Sequence, residues 1–165
     1  MNEEKLKREI RILLYVFVTG LAVSGITAFP IHTQLVYAHN LIASFHLNNL
    51  LTQWIDTVYK GVAEADANYP FMAYGTDWLA FAHVVLAVLF VGIIKDPVRN
   101  IWVVEFGLIA CAGIFPLAFI AGSIRGIPFF WQLIDCSFGI FGGIILWMCY
   151  NRVKRLSSMP TPGVK

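Results

Sequence analysis

Ionisable residues inside long apolar stretches are the features of this sequence most able to do chemistry. Asp77, His83 and Asp135 lie in or at the edge of such stretches, and Arg125 lies in a short turn between two of them. Charged groups are costly inside a bilayer and usually face the bundle interior or water, so each is a functional candidate. A histidine next to a carboxylate can transfer protons near neutral pH.

These residues are predicted to form one polar cluster near the outer helix ends. At 1.5 Å of rise per residue, His83 lies about 12 Å and Asp135 about 6–9 Å below the outer boundary, close enough to meet. Arg125 can pair with Asp77 or Asp135. The competing interpretation is structural: an Asp–Arg pair fastens two helix ends, and His83 donates to a backbone carbonyl. The predicted rim of the cluster is Trp78, Trp131 and Gln132.

One further acid, Glu105, is predicted about 7 Å inside the opposite boundary of its helix. Pairing with Lys95 or Arg99, or reaching to the interface, explains this residue without a function. A proton or cation path would need water between Glu105 and the outer cluster.

The remaining histidines, His32, His39 and His46, recur at intervals of seven. Seven residues nearly repeat one helix face but add about 10 Å of rise, whereas two metal ligands on one helix usually lie three or four residues apart. No two of them can hold one ion alone, so we predict side chains at an interface and no metal site. These three histidines could ligate a metal ion only together with a residue from another helix, such as His83 or Asp77.

The elements that carry these residues are predicted to be apolar helices. Of 165 residues, 58% are hydrophobic and 13% charged, whereas soluble domains are about 45–50% apolar and about 25% charged. A net charge of +2 does not suit a phosphate-binding surface, so no nucleic-acid partner is expected. Four stretches are long enough to cross a bilayer core of about 30 Å. We predict an all-α integral membrane bundle, one domain over 1–165, with transmembrane helices at 10–31, 74–94, 100–123 and 129–151 and a tail at 152–165.

The segment 32–70 does not fit a simple loop. It is too polar to face lipid, and only Pro30 separates it from the first span. Its apolar residues keep helical spacing, which predicts one or two amphipathic helices on the outer membrane face between the first two spans. Residues 61–70 are expected to connect this segment back to the membrane.

The orientation is predicted from Lys and Arg. Ten of the twelve basic residues flank the spans on one side, against Lys60 and Arg125 on the other. The positive-inside rule then places both termini in the cytoplasm of an inner (plasma) membrane, with the first span an uncleaved anchor.

Two packing features accompany the spans. Small residues recur at four-residue spacing, as at Gly139 and Gly143 or Gly20 and Ser24, which permits close helix approach. Three cysteines fall inside the spans and are expected to be small buried apolar residues: Cys111, Cys136 and Cys149.

The function predicted first is non-catalytic: an accessory subunit, or a binder of a lipid or apolar small molecule at the outer polar pocket. The expected partners are the bilayer and a homo-oligomer or larger membrane complex. Three alternatives remain: a transporter or channel subunit that uses the intramembrane Asp, Glu and His, a haem b protein, and an enzyme with a His–Asp acid–base pair. No cofactor is predicted, and haem b would need His83 with one outer histidine.

Overall fold

The computed structural model describes residues 3–45 and 49–159. It is 90% helical, with no strand in these ranges. A 3₁₀ turn (Pro70–Met72) precedes α4, and a π-helical turn (Leu117–Ala121) follows α5. The α-helices are α1 (Glu3–Ala28), α2 (Ile31–Ser44), α3 (Leu50–Asn68), α4 (Ala73–Lys95), α5 (Ile101–Pro116), α6 (Gly122–Ile124) and α7 (Phe129–Ser157).

In the described part of the chain, four helical stretches are long and apolar enough to cross a membrane. They are Glu3–Ala28, Pro70–Lys95, Ile101–Ile124 and Phe129–Ser157. The sequence predicted a span in each of these places, and the helices there are confirmed.

Two of the helices extend about two turns beyond the predicted spans. Helix α1 begins at Glu3 rather than at residue 10, because Leu6 already belongs to a buried row that continues through Ile10 and Leu14 at helical spacing. Helix α7 runs to Ser157, so the first six residues of the predicted tail are helical. Val153 and Leu156 of that extension are buried.

The packing of the chain divides it into two compact units, residues 1–20 with 86–165 and residues 21–85. The boundaries fall within α1 and α4. The single membrane domain expected from the sequence therefore stays a prediction.

The unit of residues 1–20 and 86–165 is built on the contact between α5 and α7. Gly139 allows this contact, because a Cβ there would lie 2.8 Å from the Cys111 carbonyl oxygen. Cys111, Cys136 and Cys149 are all buried and free, which confirms their predicted packing role.

The turn from α6 to α7 depends on one glycine. Gly126 has a φ of +69°, in the left-handed region that glycine adopts without strain. The Gly126 N–H donates to Ser123 O at 3.2 Å and the Ile127 N–H to Gly122 O at 2.9 Å, the paired bonds of a Schellman motif. Pro128 then precedes α7 and directs the chain into it.

The unit of residues 21–85 contains the segment that the sequence assigned to one or two helices. Two are present, α2 and α3. Asn49 and Thr52 start α3 with a reciprocal capping box, each side chain accepting the other's backbone N–H at 3.0 and 2.9 Å. Helix α3 continues to Asn68, so the expected connector at 61–70 is wrong: its first eight residues are helix.

Candidate functional site

Helices α2 and α3 bring histidines and aspartates together. His39 Nε2 lies 3.2 Å from Asp56 Oδ1, and His32 Nδ1 lies 3.5 Å from Asp66 Oδ2. The histidine earlier in the chain pairs with the aspartate later in it, so the two helices run antiparallel. We call the pair of helices, α2 (Ile31–Ser44) and α3 (Leu50–Asn68), the α2–α3 hairpin.

The polar centre of the hairpin is Asp56. It accepts a hydrogen bond from Lys60 Nζ at 2.6 Å through Oδ2, and one from His39 Nε2 through Oδ1. The His39 ring also stacks on Tyr59, with centroids 4.4 Å apart. Because a carboxylate can only accept, His39 must carry a proton on Nε2.

The hydrogen bond from Lys60 holds the pKa of Asp56 below its usual range, against the opposing effect of burial, and the hydrogen bond from His39 adds to the lowering. Asp56 is therefore ionised at neutral pH. The group is an oriented anion with two donors attached rather than a free proton acceptor.

A cavity of about 220 Å³ lies beside this centre. It is smaller than the pockets of about 300–1,000 Å³ that hold drug-sized ligands, so it has room only for a smaller group. Thr52 is buried in its wall, and its hydroxyl is satisfied by Asn49. The lining residues are His39, Ile42, Ala43, Thr52, Gln53, Ile55 and Asp56.

The α2–α3 hairpin also exposes an apolar row. Tyr37, Leu41 and Phe45 follow one another at four-residue spacing on α2 and are 71%, 59% and 65% exposed. No residue of α2 is buried. A row of this kind in water would be unfavourable, so it marks a surface suited to lipid, an apolar ligand or another protein.

Of the predicted outer cluster, Asp77, Trp78 and His83 lie on α4 in the unit of residues 21–85. Asp77 is half-buried and Trp78 exposed. His83 Nδ1 donates to the carbonyl oxygen of Leu79 at 2.8 Å, which is the bond that the structural interpretation anticipated. Its Nε2 is left for other chemistry.

The other members, Arg125, Trp131, Gln132 and Asp135, lie in the unit of residues 1–20 and 86–165. Gln132 is 4% exposed, and its Nε2 donates to Ile127 O at 2.8 Å, so it stabilises the α6–α7 turn rather than rimming an open pocket. Arg125 is exposed, and within the described residues of this unit no ion pair joins it to Asp135. Convergence of the full cluster remains a prediction.

Glu105 is exposed on α5. Among the residues that the structure describes, it forms no ion pair with Lys95 or Arg99, the partners that the sequence suggested. Its carboxylate is therefore available to the interface.

No group of three or more His, Cys, Asp and Glu side chains is placed to hold a metal ion within residues 3–45 and 49–159. His46, one of the weak metal candidates, lies outside the described residues. His32 and His39 face Asp66 and Asp56 instead.

Sequence reasoning missed the His–Asp pairs of the hairpin. It sought partners for these histidines in another helix, such as Asp77 or His83. The spacing alone gives no signal for the pairs, because His32 and His39 are seven residues apart whereas Asp56 and Asp66 are ten apart.

Comparison of the chain with protein-family models, curated protein sequences and solved structures gives no match.

Proposed function

We propose that this chain is a non-catalytic, multi-pass membrane protein whose α2–α3 hairpin binds lipid or another apolar molecule at the outer membrane face. The observation that carries this proposal is the exposed row Tyr37, Leu41 and Phe45. An amphipathic helix lies in the interface plane with its apolar row toward the acyl chains. The His–Asp pairs join α3 to the face of α2 that carries His32 and His39.

The spanning helices support insertion. Large apolar side chains are exposed on α5 and α7, among them Ile109, Phe138 and Phe141. Surfaces of this kind suit lipid rather than water. The bias of Lys and Arg favours an inner (plasma) membrane with both termini in the cytoplasm, which leaves the hairpin outside.

Photocrosslinking tests the proposal. Benzoylphenylalanine replaces Leu41 in the full chain, expressed in bacterial membranes, and irradiation is followed by mass spectrometry. We expect lipid adducts at this position, because the row is directed to the acyl chains. Replacement of Glu64, which is exposed on α3 one turn after Lys60, is the matched control and should yield few lipid adducts.

The outcomes separate the classes of function. Protein adducts at Leu41 in place of lipid would favour the accessory-subunit form of the proposal and identify the partner. Equal adduct formation at Leu41 and Glu64, or none at either, would contradict an interfacial hairpin.

A transporter or channel subunit is the second candidate, and Asp135 favours it. This half-buried side chain of α7 has no hydrogen bond or ion pair within the described residues of its unit, and an intramembrane acid of this kind marks ion paths. Vesicles containing the protein should then show proton or cation flux that Asp135→Asn removes and Asp66→Asn retains. Flux unaffected by Asp135→Asn would exclude this role.

The haem b and acid–base alternatives both depend on His83. Because its Nδ1 donates to Leu79 O, only Nε2 could ligate iron or move a proton. A haem band in the absorption spectrum of the purified protein would replace our proposal with the redox alternative.

A further inference from the structure

A larger cavity, of about 500 Å³, lies among the ends of α1, α4 and α7 in the unit of residues 1–20 and 86–165. Its volume falls within the range of about 300–1,000 Å³ typical of ligand pockets. Three cations line it, Lys7, Arg11 and Lys95, together with the carboxylates of Glu3 and Asp96.

One of the two carboxylates is paired with a cation of the lining: Glu3 Oε1 lies 2.6 Å from Lys7 Nζ. Asp96 Oδ1 accepts the backbone N–H of Arg99 at 3.1 Å and keeps its negative charge. Arg11 and Lys95 form no ion pair with any residue in the described ranges. The lining therefore carries a net charge of +1, with Arg11 and Lys95 free to bind an anion.

The cavity lies at the boundary between basic and apolar sequence. Arg11 directly precedes the uncharged run that begins at Ile12, and Lys95 directly follows the one that ends at Ile94. Ile94, Val98 and Leu156 supply apolar walls beside the cations. The cations are complementary to a phosphate group, and the apolar walls are complementary to the acyl chains attached to it. Basic pockets between spanning helices bind anionic lipid headgroups in this way.

We propose that this cavity binds the phosphate group of an anionic phospholipid, with Arg11 and Lys95 as its ligands. The proposal rests on the proposed insertion of α1, α4 and α7 in a membrane, and it does not involve the α2–α3 hairpin. A free phosphate shares the same anionic chemistry, so the experiment must separate the two.

Lipid titration of the full chain in detergent, followed by native mass spectrometry, tests this site. The probes are phosphatidylglycerol, phosphatidylcholine with the same acyl chains, and inorganic phosphate. We expect tighter binding of phosphatidylglycerol than of phosphatidylcholine, weakened about thirtyfold by the pair Arg11→Gln and Lys95→Gln, since each cation near an anionic lipid strengthens binding by about fivefold.

The matched control is the pair Arg8→Gln and Arg99→Gln, which removes the same charge from exposed residues that do not line the cavity, one on α1 and one in the turn after α4. This pair should bind phosphatidylglycerol like the unchanged chain. The charge-retaining pair Arg11→Lys and Lys95→Arg should retain most of the binding, which guards against a folding defect in the Gln pair.

Three outcomes would overturn the proposal. These are an equal loss in both Gln pairs, equal binding of the two lipids, and inorganic phosphate that competes as well as the lipid. Failure of membrane insertion is recognised separately, because the protein would then be recovered without detergent.

Discussion

At the scale of single residues, Asp56 accepts hydrogen bonds from the side chains of His39 and Lys60. Its ionisation makes the stability of the α2–α3 hairpin depend on pH. The folded pKa lies below its unfolded value, chiefly because of the Lys60 hydrogen bond. The contribution of Asp56 is therefore present above its unfolded pKa of about 3.9 and is lost as pH falls through the lower folded pKa.

We predict that lowering the pH from 5 to 3 increases amide hydrogen exchange in α2 and α3, after correction for intrinsic rates. Asp56→Asn should show the faster exchange already at pH 5 and a smaller change on acidification. Glu64→Gln changes the same charge on the same helix, and it should behave like the unchanged chain. If Asp56→Asn kept the full pH response, the assignment to Asp56 would be wrong.

A second residue-scale prediction concerns Gln132, whose buried amide donates to Ile127 O. Gln132→Leu retains the size of the side chain but leaves that carbonyl without this donor. We expect the free energy of unfolding to fall by about 1–3 kcal/mol, measured by denaturant titration in detergent. Ser137→Ala removes a hydroxyl bonded to its own helix and should change little. Equal effects of the two variants would argue against a special role for Gln132.

At the scale of the elements, the distance between α5 and α7 is set where Gly139 meets the Cys111 backbone. A Cβ at residue 139 would lie 2.8 Å from that carbonyl oxygen, so Gly139→Ala must move one helix. We expect a loss of about 1–3 kcal/mol in the free energy of unfolding, measured as above.

Gly113→Ala provides the control for this substitution. It lies on α5, in the same pair of helices, and a Cβ there would meet nothing within 4 Å. Because alanine is the better helix former, this variant should equal or exceed the stability of the unchanged chain. Destabilisation by both variants alike would mean that helix propensity, and not the close contact, decides the effect.

Small-residue spacing in the sequence was only partly informative about such contacts. Gly139 lies at a close contact, whereas a Cβ at Gly20, which the same spacing also marked, would have open space around it. The spacing shows that a helix face carries small side chains, but it does not show whether another helix packs against that face.

At the scale of the whole molecule, the predicted topology can be tested with engineered cysteines, because all three native cysteines are buried. We predict that Lys60→Cys is labelled by an impermeant maleimide in intact bacterial cells with a permeabilised outer membrane. Lys5→Cys and Lys154→Cys should be labelled only after the inner membrane is disrupted. Labelling of residues 5 and 154 under different conditions would show an odd number of crossings and contradict four spans.

The sequence predicted the helices better than it predicted the site. Helical class and the places of the long apolar helices follow from apolar runs and spacing, which are properties of neighbouring residues. The ends of α1 and α7 do not follow from the apolar runs, because the extension of these helices to Leu6 and Leu156 depends on what those residues pack against.

By itself, then, the sequence determined an all-helical chain with stretches long and apolar enough to span a membrane, and a polar segment between the first two. Only the tertiary structure decided that His39 meets Asp56, that Gln132 is buried, and that Arg11 and Lys95 line one cavity. The physical reason is that these contacts depend on the rotation and register of helices distant in sequence, for which local periodicity carries no information.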